Sequence, residues 1–312
     1  MIERRSIETQ DIDQLAESMS GWSQEYDQIQ PGQFQGKLTE LWIGDVQICR
    51  ETTRSGLIER GSVRDDALYA VVPLGSNGEG SINGEVLGDS DVFCGSGGHE
   101  WFTKTADEWD LLLFIIPRDT IAASLEAAPT KFITSPAGHR IKNAGSAPYM
   151  DRLKSTAKVM FDFQDTSVPS EVVSFFQASL HENIANLFNQ IRSDDDTVSG
   201  NLEDMMRVLR GARELIEHDD NPVVQVDEIA KALGVSRRTF QNYCQTITGT
   251  PPTAFLRALR LNNARRLLTA TTPEDQVLDA AFKSHFAHGG RFSKYYYELF
   301  GERPSDTRVA DR

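Results

Sequence analysis

The chain has 312 residues and a formal net charge of −14, so it is long enough for two full cores and too acidic to bind nucleic acid over its whole surface. Its three cysteines are scattered and form no CxxC pair, which favours buried thiols in a reducing cytosol over disulfides or a zinc site. Because neither a signal peptide nor an apolar run of about 20 residues is visible, we expect a soluble cytoplasmic protein without a membrane partner.

Residues 1–30 are polar, with apolar residues at helix-like spacing, which are Ile7, Ile12, Leu15, Met19 and Trp22. This spacing predicts a short amphipathic lead-in helix. The following pair Pro31-Gly32 breaks the pattern.

Short β-prone segments separated by turn residues follow as far as residue 117. They lie at 38–49, 57–58, 67–74, 80–87, 91–94, 100–103 and 109–116. Many short strands predict a compact barrel or sandwich, and we expect a cupin-like β-barrel over about 36–117. The last segment is apolar on both faces, which predicts a central strand ended by Pro117.

Helices are predicted over 118–192, which completes a first domain of residues 1–192. The longest, Ser170 to Ile191, has a continuous apolar stripe. Such a helix could pack against the barrel or pair with a second subunit, and the sequence leaves both open. The charged, turn-rich run 193–203 predicts a linker to a second domain over 204–312.

A helix pair with a tight turn is predicted at about 226–247. Gly234 can take the positive φ of the turn, and Ser236 is a natural N-cap for the second helix. The exposed face of that helix would carry side chains able to make bidentate contacts to base edges in a major groove, which are Arg237, Arg238, Gln241 and Asn242.

The pattern recurs at about 277–300, after a predicted linker helix over 253–269. Phe282 would pack behind the first helix of this second pair. The exposed positions near the start of its second helix are His288, Gly290, Arg291 and Lys294. A linker helix of roughly 25 Å could hold the two recognition helices about one DNA turn apart. The segment from Lys231 to Phe300 contains ten Lys and Arg residues and four acidic residues. Such a positive charge is expected of a phosphate-contacting module.

These residues carry a specific resemblance. The run GVSRRTFQNYCQTITGTPPTAFLRALRLNNARRLL, followed by VLDAAFKSHFAHGGRFSKYYYELFGERPSDT, is similar to the DNA-binding domain of the AraC/XylS family of transcription regulators. The resemblance implies an α+β protein with a cupin-like β-barrel sensor, a helical dimerisation segment and a C-terminal all-α domain with two helix-turn-helix units. It also implies double-stranded DNA and RNA polymerase as partners, a homodimer, and activation more often than repression.

The segment from Trp22 to Leu41 resembles the sensor domain of ethanolamine-operon activators within this family, as do Ser236 to Asn242 and Arg260 to Asn262. That resemblance implies a small-molecule effector, with ethanolamine as a candidate. Aromatic and polar residues that could line an effector pocket are Trp42, Tyr69, His99, Trp101 and Trp109. Control by a protein partner instead of a metabolite stays open.

A metal-dependent cupin enzyme is the alternative reading of the β-rich segment. Such a site needs clustered His and carboxylate ligands, and this segment offers only His99 next to Glu100. The sequence also has no Gly-x-Ser-x-Gly elbow and no phosphate loop. We therefore expect no metal, no cofactor and no enzymatic activity.

In one turn the sequence departs from the family pattern. Where the subgroup tends to have Gly in the second turn, this chain has His285, which tolerates positive φ less well than Gly. Gly289 and Gly290 also lower helix propensity at the start of the second recognition helix. The first helix pair is therefore expected to dominate sequence specificity.

Overall fold

The computed structural model describes residues 2–125, 138–163, 168–191, 201–217, 225–270 and 276–307. Over these residues the protein is α+β, with two β-sheets in its N-terminal part and helices in its C-terminal part. Of the predicted linker, residues 193–200 lie outside the described residues.

Twelve strands are present in the described residues, all before residue 142. They are β1 (Ile2–Thr9), β2 (Trp22–Gln28), β3 (Gln35–Ile43), β4 (Val46–Arg54), β5 (Leu57–Val63), β6 (Ala67–Asn77), β7 (Ser81–Ile82), β8 (Glu85–Val86), β9 (Val92–Ser96), β10 (Glu100–Lys104), β11 (Glu108–Pro117) and β12 (His139–Ile141).

The predicted closed barrel is wrong, because the strands divide into two separate antiparallel sheets. The larger sheet has the order β1-β3-β4-β11-β6-β9-β12, and the smaller has the order β2-β5-β10-β7-β8. Within the described residues no strand pairs across from one sheet to the other. The two sheets pack face to face as a sandwich, and β11 lies centrally in the larger sheet, as its two apolar faces predicted.

The predicted lead-in helix is also largely wrong. Only α1 (Ile12–Ser18) is helical, and it lies between β1 and β2. The β2 segment points alternate side chains to opposite faces, so Tyr26 is buried between the sheets while Asp27 lies on the outer face. The β-structure therefore begins at Ile2 and not near residue 36.

Three more helices lie in the described residues before position 192: α2 (Arg118–Ile121) lies between β11 and β12, and α3 (Pro148–Asp162) and α4 (Ser170–Phe188) follow β12. The predicted helix from residue 118 onwards is cut short, since α2 passes into a 3₁₀ turn at Ala122–Ser124. Both α3 and α4 bury apolar residues against the outer face of the larger sheet, in one core with Ile48, Val72 and Phe114. A second core fills the layer between the two sheets.

The C-terminal part contains six helices in the described residues. They are α5 (Leu202–Glu217), α6 (Val226–Ala232), α7 (Arg237–Thr248), α8 (Pro252–Ala270), α9 (Gln276–Lys283) and α10 (Gly289–Phe300). Helix α8 lies between the pair α6–α7 and the pair α9–α10 and contributes to the core of each. The outer face of the smaller sheet joins the first of these cores through Ile58 and Phe102.

Candidate nucleic-acid interface and sensor interior

The turn between α6 and α7 has the geometry that its sequence predicts. Gly234 has a φ of +70°, and the next residue, Val235, donates from its backbone N to Ala230 O at 2.9 Å. Ser236 then caps α7, since its Oγ accepts a hydrogen bond from Thr239 N at 3.0 Å. The first turns of α7 are thereby fixed relative to α6.

The turn between α9 and α10 repeats this geometry. His285 has a φ of +67°, and the next residue, Phe286, donates from its backbone N to Ala281 O at 2.8 Å. The imidazole Nε2 of His285 lies 3.0 Å from Ile216 O, a contact that a glycine could not make. The departure from glycine therefore leaves the turn intact and ties it to α5.

The predicted DNA-contacting side chains of α7 all lie on its exposed surface. Arg238, Gln241 and Asn242 are exposed, while Phe240 on the opposite face is fully buried. Arg237 is exposed as well, but its Nη1 donates to both carboxylate oxygens of Asp227 on α6, at 2.8 and 2.9 Å. Within the described residues Arg238 thus forms no ion pair, whereas Arg237 is held by an acid.

On α10 the predicted positions His288, Gly290, Arg291 and Lys294 are likewise exposed. Lys294 lies 3.7 Å from Glu298, and both side chains are exposed. Exposed ion pairs of this kind contribute little to stability. Phe282 was expected to pack behind this unit, and that prediction is wrong: it is 61% exposed. The inner face of α10 packs through Phe292 and Tyr296 instead.

Two cations counted toward the basic module are not available to phosphates. Arg265 lies 3.7 Å from Glu302 and over the ring of Phe300, and its side chain is only 12% exposed. Arg266 pairs with Asp13 at 2.9 Å and with Asp27 at 3.0 Å. The basic surface is therefore smaller than the sequence count indicates.

Arg266 belongs to an interdomain cluster formed by Asp13, Glu25, Asp27, Arg213 and Arg266. Arg213 is buried, pairs directly with Asp27, and approaches Glu25 at 3.1 Å. Burial alone would raise the pKa of Glu25, but Arg213 and Arg60 outweigh it and hold that pKa below its ordinary value. The helical part is thus held against the outer face of the smaller sheet by paired, largely buried charges.

Of the five predicted effector-contacting residues, three come together in the layer between the sheets. Tyr69, Trp101 and Trp109 are buried there. Trp42 lies at the margin with the guanidinium of Arg64 over its ring, 6.0 Å from the centroid. His99 is half-buried in the turn before β10.

The same layer holds polar residues that sequence reasoning missed. Glu51 and Glu59 point inward from β4 and β5, and the hydroxyl of Tyr26 donates to Glu51 Oε1 at 2.9 Å. Burial raises the pKa of Glu51 to about 7, and burial together with the neighbouring Glu51 raises the pKa of Glu59 well above its ordinary value. Trp22 joins the cluster, with its ring 5.9 Å from Tyr69.

Membrane-spanning helices and metal-binding clusters are both absent from the described part of the chain. No helix there is both long enough and apolar enough to cross a membrane. No group of three or more His, Cys, Asp or Glu side chains is arranged there to hold a metal ion.

The comparisons with known proteins concern mainly the C-terminal part. Residues 229–310 match the family described as "Helix-turn-helix domain". The "Probable thc operon regulatory protein" of Rhodococcus erythropolis is 33% identical over 100 residues, which are 32% of this chain and 30% of that protein. The "XylDLEGF operon transcriptional activator 2" of Pseudomonas putida is 30% identical over 95 residues, which are 30% of this chain and 60% of that protein.

Among solved structures, the chain is similar to the "AraC-like transcriptional activator CuxR", with a TM-score of 0.47 and 17% identity over 90% of this chain and 100% of that one. The chain spans less than two thirds of the length of the two sequence relatives. Its C-terminal part contains a helix-turn-helix domain. The relatives are by name regulators of transcription and not enzymes.

Proposed function

We propose that this protein is a sequence-specific DNA-binding regulator of transcription in which both helix pairs act as helix-turn-helix units. The observation that carries the proposal is the repeated turn: α6–α7 and α9–α10 share the same backbone hydrogen bonds, and each has a left-handed residue, Gly234 or His285, at the equivalent position. Each pair then exposes basic side chains on the first turns of its second helix, and α7 adds the amides of Gln241 and Asn242. A recognition helix docks in a major groove through those turns.

The exposed residues divide by chemistry into base readers and phosphate contacts. Arg238, Gln241 and Asn242 can make bidentate contacts to base edges, whereas Lys294 suits a phosphate. Arg237 and Arg291 could take either role, and Arg237 must first release Asp227. Because α7 offers free amide side chains and α10 begins with two glycines, the first unit is expected to dominate specificity.

We further propose that the N-terminal sandwich senses a small molecule and that two copies of the chain associate through α4. The sensor proposal is supported by the aromatic and acidic residues between the sheets. The dimer proposal is supported by Phe175 and Val172, which are 69% and 37% exposed on α4. The relatives named as operon regulators support control of an operon, and activation would make RNA polymerase a second partner.

Selection from random duplexes by the full-length protein, followed by sequencing, tests the DNA-binding proposal. We expect an enriched site with two half-sites about one helical turn apart, each contacted by one unit. The double variant Arg238→Ala with Gln241→Ala should lose the enriched bases of one half-site only. Retention of random sequences by the wild type, with no enriched site at low or high salt, would overturn the proposal.

A further inference from the structure

The layer between the two sheets keeps accessible surface in the middle of its central strands. On β6 and β11, four residues that face the smaller sheet keep between 4% and 6% of their surface accessible, and they are Tyr69, Val71, Leu111 and Leu113, whereas Ala67, Trp109 and Ile115 nearer the strand ends keep at most 2%. Their neighbours on the opposite face of the same strands keep at most 2%, and they are Leu68, Ala70, Val72, Leu112 and Phe114. The accessible space therefore lies inside the sandwich.

Two carboxyl groups reach this space without a cation. Glu51 and Glu59 are each 4% exposed, and within the described residues neither forms an ion pair. Among the described residues the carboxyl of Glu51 receives one hydrogen bond, from the hydroxyl of Tyr26, and the carboxyl of Glu59 receives none. A buried carboxylate of this kind is unfavourable unless it is protonated or a positive charge lies beside it.

The aromatic side of the space independently points to a ligand. The ring of Trp22 meets Tyr69 at 5.9 Å and Trp101 at 6.0 Å, edge to face in both cases. The indole Nε1 atoms of Trp101 and Trp109 are buried and have no hydrogen-bond partner among the described residues, although these residues are 5% and 2% exposed. Buried indole N–H groups normally find an acceptor, so both can donate to a bound molecule that carries an oxygen or nitrogen acceptor.

We propose that the space between the sheets binds a small organic cation, such as a primary or quaternary amine that also carries a hydroxyl or another acceptor. Its positive charge lies against Glu51 and Glu59. Its carbon atoms pack on the aromatic rings, where cation–π attraction adds to the burial of apolar surface. Its acceptor takes the unpartnered indole N–H groups. This inference rests on the proposed function, because it names the effector class of the N-terminal sandwich.

Binding of a cation then releases a proton. The other titratable groups that face Glu51 are Tyr26 on β2 and Cys49 on β4, and burial raises the pKa of each well above neutral, so both stay protonated. Glu51, whose pKa burial raises to about 7, is the member of this set that changes its charge near neutral pH. A cation that favours the ionised form of Glu51 displaces the proton that this carboxyl holds below about pH 7.

The test measures thermal stability and tryptophan fluorescence of the full-length protein, without DNA, against four probes. Choline is paired with its uncharged carbon analogue, in which a tert-butyl group replaces the trimethylammonium group, and ethanolamine is paired with ethylene glycol. We expect at least one amine to raise the midpoint temperature of unfolding in a saturable way, and its uncharged partner to have no effect on that temperature. Calorimetry in buffers of different ionisation enthalpy should show proton release below pH 7.

Two isosteric variants assign the site. Glu59→Gln and Glu51→Gln should each weaken amine binding by about tenfold or more, because the positive charge loses a carboxylate. Glu8→Gln is the matched control, since Glu8 is a highly exposed carboxylate on β1 of the same sandwich, and it should bind as the wild type does. Both inward variants keep the shape of the side chain and remove a buried charge, so folding should be preserved.

The outcomes separate this inference from the proposed function. If an uncharged probe stabilised the protein as much as its paired amine, the proposal of a cationic ligand would be overturned in favour of a neutral ligand. In the same assay, stabilisation by added Mg²⁺ or Zn²⁺ and by neither amine would make this a metal site, and no response to either amine or to the metals would leave no cation site. DNA selection by the same preparation is scored separately. Loss of DNA binding with retained amine binding would overturn the proposal of a DNA-binding regulator and leave the proposed cation site standing.

Discussion

Asn262 on α8 forms two hydrogen bonds with the backbone of Gln28 at the end of β2. Its Nδ2 donates to Gln28 O at 2.9 Å, and its Oδ1 accepts from Gln28 N at 3.0 Å. Both residues are buried, at 1% and 0% exposure, in the contact between the helices and the smaller sheet. The side-chain amide therefore satisfies a strand residue in the way that a neighbouring strand would. The position of α8 on the sandwich is specified by hydrogen bonds as well as by charge.

Replacing Asn262 by Ala should lower the free energy of unfolding by about 1–3 kcal/mol. The change leaves the buried N–H and C=O of Gln28 without partners, and such groups are costly when water cannot reach them. Urea denaturation of the full-length protein measures the loss. The matched control is Asn242→Ala, at an exposed asparagine on α7, which should stay within about 0.5 kcal/mol of the wild type. Equal stability of Asn262→Ala and the wild type would show that α8 does not dock in this way in solution.

The local features of the helix pairs were predictable because they depend on neighbours in sequence. Gly234 and Ser236 act within a few residues of their own position, through a positive φ and a side-chain cap. The prediction of a lead-in helix at residues 1–30 failed because the structure there depends on residues far away in sequence. Ile12 and Leu15 do lie on a helix, but it is a seven-residue element between two strands that pair with segments farther along the chain.

The contacts that position the domains were not predictable, because their partners are far apart in sequence. Arg266 appeared to be a free cation on a linker helix, and its partner Asp13 is 253 residues away. Glu51 lies among Arg50, Thr52 and Thr53, a run that reads as a solvated strand, and only the second sheet makes its position internal. For the same reason the expected barrel was wrong: periodicity reports only which face of a strand is buried, and strand pairing decides between a barrel and a sandwich.

Glu51→Gln should make the protein more stable above neutral pH and flatten the fall of its stability between pH 5 and pH 8. Burial raises the pKa of Glu51 to about 7 in the folded state, against an ordinary value near 4.5 when unfolded. The folded state then binds more protons than the unfolded state between these values, so stability falls as pH rises through about 7. The full difference is about 3 kcal/mol, from 1.36 kcal/mol per pKa unit.

The measurement is urea denaturation of both proteins at pH 5 and at pH 8, without added amines. At pH 5 the wild-type carboxyl is mostly protonated, so the two proteins should differ little. At pH 8 the variant should be the more stable. Lower stability of the variant at pH 8 would mean that the charge of Glu51 is stabilised by a group that the described residues do not contain.

Phe175→Ser should weaken self-association by roughly tenfold or more, if α4 forms the dimer contact. Phe175 is the most exposed of the large apolar side chains in the described residues, and truncation of a central aromatic anchor commonly costs an interface over 1 kcal/mol. Sedimentation velocity across a concentration series measures the change. Phe282→Ser, at a phenylalanine of similar exposure on α9, is the matched control. Dissociation by the control and not by Phe175→Ser would move the dimer contact to the helical domain.

Arg238→Ala and Lys294→Ala should weaken DNA binding in different ways, since one side chain is placed to read a base and the other to contact a phosphate. Both side chains are exposed, so neither change should lower the free energy of unfolding by more than about 0.5 kcal/mol. Arg238→Ala should cost about 1–3 kcal/mol on the selected site and relax the preference at one position. Lys294→Ala should weaken binding to all sequences alike and reduce the slope of log K against log salt by about 1. Fluorescence anisotropy on the selected duplex and on single-base variants, at several salt concentrations, separates the two effects. An unchanged base preference in Arg238→Ala, together with a reduced salt slope, would reassign Arg238 to the phosphate backbone.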